Sequence, residues 1–213
     1  MKDIRSWFLW AGVLSVLFFF GPGRAAEAVE CLSPSYSVQK GREYQSDVEA
    51  RDLREGEYRD LEELFQGLLG EWSGTGRQLN CEGPEDAIRR EMENFMIDAK
   101  AYIDSEGLFT LESTLVRARE NTEQQERLRL FLGKTMLATR PHISASDIEL
   151  VSVSREELTY VHKSRNQGLG GAVISQEALI RIGRSPAGTL VLEKTIFFFG
   201  RLTSHSIWNL NRH

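Results

Sequence analysis

The chain has 213 residues, 41% of them hydrophobic and 27% charged, with 26 Lys and Arg against 31 Asp and Glu for a formal net charge of -5. This length suits one domain with a proper core. No dense basic stretch supports a nucleic-acid partner, and the mixed-sign charges read as a solvated outer surface that implies no strongly acidic or basic ligand.

The first residues read as a leader outside the fold. Lys2 and Arg5 precede an apolar run from Trp7 to Phe20, a Gly21-Pro22-Gly23 break follows, and Ala26-Glu27-Ala28 supplies a small-x-small cleavage pattern. The run is shorter than the roughly 20 residues of a membrane-spanning helix. Residues 1–28 are therefore expected to be a signal peptide. The protein would be exported, periplasmic or extracellular, with no stable transmembrane anchor after cleavage. An uncleaved signal anchor is the competing reading. A lipoprotein signal fits less well, because Ala28-Val29-Glu30 puts no small residue directly before Cys31. Cys31 and Cys81 are the only cysteines, and an even pair in an exported chain favours one disulfide over two free thiols.

Residues 29 to 50 are polar, carry Pro34 and Gly41, and read as an N-terminal arm with no clear period. From 51 to 213 the chain reads as one helix-plus-barrel domain. Leu61, Leu64, Phe65 and Leu68 recur at helical spacing, giving an amphipathic helix whose single apolar stripe would cover one end of the fold. Gly70 ends it.

Strand period follows. Runs are expected from Leu68 to Gly76, Ile88 to Ile97, Leu108 to Arg117, Arg127 to Leu132, Thr135 to Thr139, Ile148 to Val153, Leu158 to Lys163, Ala178 to Ile182, Thr189 to Phe199 and Leu202 to Leu210. In the Leu108 run, the face carrying Phe109, Leu111, Ser113 and Leu115 is the expected interior. The charged stretch from Arg117 to Arg129 reads as a solvated strand-turn-strand. Short connections and the lack of crossover helices indicate an all-β, up-and-down antiparallel β-barrel of about 8–10 strands with an N-terminal amphipathic helix. A β-sandwich is the alternative.

Leu69-Gly70-Glu71-Trp72-Ser73-Gly74-Thr75-Gly76 after a helix resembles the opening of calycin-like barrels, namely lipocalins, fatty-acid-binding proteins and nitrobindin-like domains. Gly70-x-Trp72 is similar to the lipocalin signature, and Trp72-x-Gly74-x-Gly76 to the nitrobindin entry strand. The resemblance implies that Arg212 packs on Trp72 as a structural clasp. It also implies that His205 in the last strand is a candidate haem ligand. Nitrobindin-like domains continue with a Tyr-Pro pair, where this chain has Arg77-Gln78-Leu79-Asn80.

Trp72, Tyr160, His162 and His205 are the candidate ligand-binding residues. Tyr160 and His162 alternate on one face of their strand and could orient a polar head; a polar outer hairpin face is the simpler alternative. The parity of His205 relative to Trp208 leaves its direction open. Asn166 to Gly171 is Gly-rich without a phosphate-loop lysine, and reads as a mobile loop at the barrel mouth. Ile196-Phe197-Phe198-Phe199 supplies apolar surface on both faces, for core on one side and packing against a helix or a partner on the other. His142, His162 and His205 are too scattered for a metal motif, and no Gly-x-Ser-x-Gly elbow marks a nucleophile. The expected function is non-catalytic binding of a small hydrophobic or amphipathic molecule, with a cavity behind Trp72. The alternatives are a haem-binding barrel using His205 and a ligand-free interaction module of the cell envelope.

Overall fold

The computed structural model describes residues 30–117, 122–141, 146–167 and 173–213, with backbone only at 166, 167 and 173. The expected signal peptide, His142 and most of the Gly-rich loop lie outside these residues. Two helices, α1 (Tyr36–Gln39) and α2 (Glu55–Leu68), precede ten strands: β1 (Gly70–Glu82), β2 (Arg89–Ile103), β3 (Leu108–Arg117), β4 (Glu123–Leu132), β5 (Leu137–Ala138), β6 (Ile148–Val153), β7 (Glu157–Gln167), β8 (Val173–Arg184), β9 (Leu190–Phe198) and β10 (Arg201–Arg212). No helix among the described residues is long and apolar enough to cross a membrane.

All ten strands belong to one antiparallel sheet in the order β5-β4-β3-β2-β1-β10-β9-β8-β7-β6. Neighbours in sequence are neighbours in space, and β1 also pairs with β10, so the sheet curls into a nearly closed up-and-down barrel. This is the expected architecture, with most strands longer than the apolar runs that signalled them. The seam between β5 and β6 is closed by side chains instead of a ladder. Thr139 N–H donates to Asp147 Oδ1 at 2.8 Å, Thr139 Oγ1 donates to the same carboxylate, and Ser146 Oγ donates to Leu137 O at 2.5 Å.

α2 forms where the helical spacing predicts it. The Glu57 carboxylate accepts the Arg54 N–H at 3.0 Å, capping the first turn. Arg51 grips the same carboxylate through two 2.7 Å bonds and holds its pKa down to about 2. The apolar stripe of Leu61, Leu64, Phe65 and Leu68 is buried, and Phe65 stacks on Phe109 of β3 at 4.6 Å between ring centroids. The helix thus plugs the barrel end at which β1 begins.

The arm is a packed strap and not a free linker. The Cys31–Cys81 disulfide pins its start to the far end of β1. Ser35 N–H donates to Gly200 O at 3.0 Å, and the chain then crosses the outer faces of β6 to β9. Beneath it lies a buried polar network. Glu177 accepts from Ser37 N–H at 3.1 Å and from Ser37 Oγ at 2.5 Å, and Lys163 Nζ stands 3.4 Å from the same carboxylate. The Lys163 and Glu177 side chains are only 5% and 0% exposed. Lys163 also donates to Tyr44 O and Ser46 O, at 3.1 and 2.6 Å, and Arg42 pairs with Glu149 at 2.9 Å. Lys163 is therefore enclosed between the strap and the outer face of β7. Phe197 is buried on this covered outer face, where its carbonyl accepts from Tyr44 Oη at 3.0 Å.

Candidate functional site

The two ends of the barrel interior differ in chemistry. At the α2 end, Trp72 is buried among the helix leucines, Ile97, Leu111, Trp208 and Leu210. Its indole Nε1 donates to Leu68 O at 2.8 Å. Arg212 places its guanidinium 5.4 Å from the indole centroid and donates to Leu69 O. The last carbonyls of α2 lack intrahelical partners, so the indole and the guanidinium together cap the helix while they clasp the barrel end. The cation–π contact contributes roughly 0.5–2 kcal/mol. Gly70 stays small with its backbone at φ +132, because an added Cβ would stand 3.2 Å from Arg212 Nε.

The space expected to be a cavity behind Trp72 is occupied by side chains. A Cβ on Gly76 would come within 2.5 Å of Ile97 Cδ1 and 2.9 Å of Trp208 Cδ1, so the second tryptophan uses the missing side chain to fill the middle of the lumen. Beyond Trp208, away from α2, the inner wall changes character and forms the other half of the lumen.

The register defines what lines that half. Gly76 pairs with Trp208 and Phe95, so Gln78, Ser206 and Glu93, two residues further along their strands, also face inward. Ser113 shares the inward face of Leu111 and Leu115 and pairs with Glu126. Trp208 pairs with Leu192, which sets Lys194 and Ile196 inward on β9. β4 and β9 are five strands apart in the sheet order, on opposite walls of the barrel. Lys194 Nζ nevertheless meets Glu126 Oε2 at 2.5 Å, so the ion pair bridges the lumen. Gln124 Nε2 steadies the other carboxylate oxygen at 3.2 Å. The two side chains keep 23% and 21% exposure, so water reaches this depth. Nearer the mouth, Arg117 Nε lies 3.6 Å from Glu93 Oε2, an atom that is shielded from solvent and has no hydrogen bond among the described residues.

Tyr160 and His162 share the interior face of β7. Tyr160 is 2% exposed within the core, and burial raises its phenol pKa. His162 stands near the seam, with Nε2 3.7 Å from Asp147 Oδ2. Burial lowers its pKa, Asp147 opposes the shift and Arg140 adds to it. His205 is placed differently. It pairs with Leu79 and Thr195 on the outer wall, with Nδ1 3.0 Å from Thr195 Oγ1 and Nε2 3.7 Å from Glu193 Oε1. Burial lowers its pKa as well, against the pull of Glu193. The four candidate ligand residues therefore do not converge: Trp72 and Tyr160 belong to the packed floor, His162 to the seam and His205 to the outside. β10 offers no histidine to an iron in the lumen.

Sequence reading missed Lys194, Glu126, Glu93 and Arg117 as lumen residues. Strand alternation from Leu192 and Leu128 held the signal, but their charge made them read as surface. Two hollows lie outside the lumen. A furrow of about 760 Å³ crosses the outer wall of β1 to β4 between cross-strand pairs such as Lys100–Glu71, and a hollow of about 300 Å³ beside the disulfide is lined by Leu32, Ile88, Phe198 and Phe199. Among the described residues no group of three or more His, Cys, Asp or Glu could hold a metal. No protein-family model matches the chain, and no curated protein is similar to it in sequence.

Proposed function

We propose that this is an exported, non-catalytic binding protein that holds a small amphipathic molecule in the open half of its barrel. The observation that carries this reading is the Lys194–Glu126 pair, charged side chains turned inward and still reached by water above an apolar floor. A polar head would meet this pair together with Gln78 and Ser206. An apolar body would run along Phe95, Leu115, Trp208 and Ile196. Affinity would come chiefly from apolar ligand surface leaving water, at about 25 cal/mol per Å². The leader pattern in residues 1–28 and the Cys31–Cys81 bridge support export.

Purification from the native compartment without detergent, followed by native mass spectrometry before and after denaturation, tests the reading. The expected result is a bound mass that is released with loss of fold. A mass equal to the bare polypeptide favours a second reading, the ligand-free interaction module. That alternative is supported by the filled floor and by Phe199 and Leu32, which are 62% and 57% exposed around the hollow at the disulfide.

A further inference from the structure

Resting on the lumen-binding reading, the geometry points to a zwitterionic head group, one negative and one positive charge on the same small molecule, as the ligand class this barrel selects. Among the described residues, two ion pairs face this half of the lumen, Lys194 with Glu126 and Arg117 with Glu93, and each pair is neutral in sum. The first pair spans the lumen from opposite walls, so a head group entering at this depth must separate its two members.

A ligand with only a negative charge satisfies Lys194 and leaves the Glu126 carboxylate without its cation, held by Gln124 alone. A ligand with only a positive charge does the converse and strands Lys194 on β9. Both residues are about four-fifths shielded from solvent, so water only partly compensates the loser. A zwitterion replaces one ion pair by two: its anionic group meets the Lys194 ammonium and its ammonium group meets Glu126. Nearer the mouth, the shielded Glu93 Oε2 stands 3.6 Å from Arg117 Nε and has no hydrogen bond among the described residues, which adds an acceptor on that side of the lumen. Charge discrimination is thus built as repulsion of singly charged competitors as well as attraction of the fitting one.

The test uses four dodecyl amphiphiles below their micelle concentrations: dodecanoate, dodecylammonium, dodecanol and N-dodecyl-N,N-dimethylglycine. Binding to the intact disulfide-bonded protein is followed by titration calorimetry. The zwitterion is expected to bind about tenfold or more tighter than either singly charged probe. Glu126→Gln should move the preference to dodecanoate and Lys194→Met to dodecylammonium. The charge-reversed pair Lys194→Glu with Glu126→Lys should restore the zwitterion preference, which keeps the inference testable if a single variant fails to fold. A wild-type preference for dodecanoate or dodecylammonium overturns the inference, as does a ranking that the substitutions leave unchanged. Binding of all four probes with equal affinity overturns this inference alone. No binding of any probe overturns the lumen reading and this inference with it.

Discussion

Truncating Glu177 to alanine would strand the Lys163 ammonium beneath the strap, since their side chains are 0% and 5% exposed and share one network with Ser37. Removing one member of a buried pair costs about 3–5 kcal/mol, whereas replacing both by well-packed apolar residues is close to neutral. Glu177→Ala is therefore expected to lower urea-unfolding stability by about that amount, and Lys163→Met with Glu177→Leu to recover most of it. Equal losses in the single and double variants would show that the strap does not depend on this pair. The two inward-lying or covered histidines predict a pH dependence. Burial depresses the folded pKa of both His162 and His205, so the unfolded chain binds protons first and stability falls as pH drops below about 6.5. His162→Gln and His205→Gln should each flatten that slope in thermal melts across the window, and an unchanged slope in both would contradict the placement. At this scale, the Trp72–Arg212 clasp was legible because a short motif and a terminal position carried it. Lys163 and Glu177 were not, because a charge on the outer face of a strand has the same appearance whether it meets water or a covering segment.

The strap and the plug behave differently as elements. α2 announces itself through an apolar stripe, and Leu61, Leu64, Phe65 and Leu68 are buried as that stripe requires. The strap has a period of its own. Arg42, Tyr44, Ser46 and Val48 are the less exposed residues of their stretch and alternate with exposed ones. Most of them are polar, so the repeat carries no hydrophobic signal. The strap is held by side-chain bonds and by one cross-link, not by a ladder. Cys31→Ser with Cys81→Ser opens a loop of 50 residues and is expected to cost about 2–4 kcal/mol. Limited proteolysis should then cut first between residues 30 and 53. Cleavage elsewhere, with the strap intact, would show that the polar network seats it without the bridge. β5 shows a related limit of sequence. A run from Thr135 to Thr139 was expected, yet only Leu137 and Ala138 join the ladder, because Asp147 and Ser146 complete the seam with side chains.

For the molecule as a whole, the barrel was legible and its inner surface only in part. On β3 the Phe109, Leu111, Ser113 and Leu115 face is interior as read, since its alternation is consistent along the strand. On β10 both faces mix apolar and polar residues, which is why His205 could not be placed from spacing; the register is regular from Ser204 to Leu210 and sets His205 on the face opposite Trp208. The result is a barrel with a sealed apolar floor, a clasped helical plug, a strapped outer wall and a charge-bridged open half. The proposed small-molecule binding is assigned to the open half.

Filling that half is the most direct test. Ser204 faces inward on β10 beside Ile196 and remains partly exposed, so Ser204→Phe would occupy the lumen without entering the packed floor. Equilibrium binding of an amphiphilic dodecyl probe to wild type and to Ser204→Phe is the measurement. The account predicts one probe bound per wild-type barrel and binding at least about tenfold weaker in the variant, with the melting temperature little changed. Equal binding by the two proteins would place the probe outside the barrel and contradict the account.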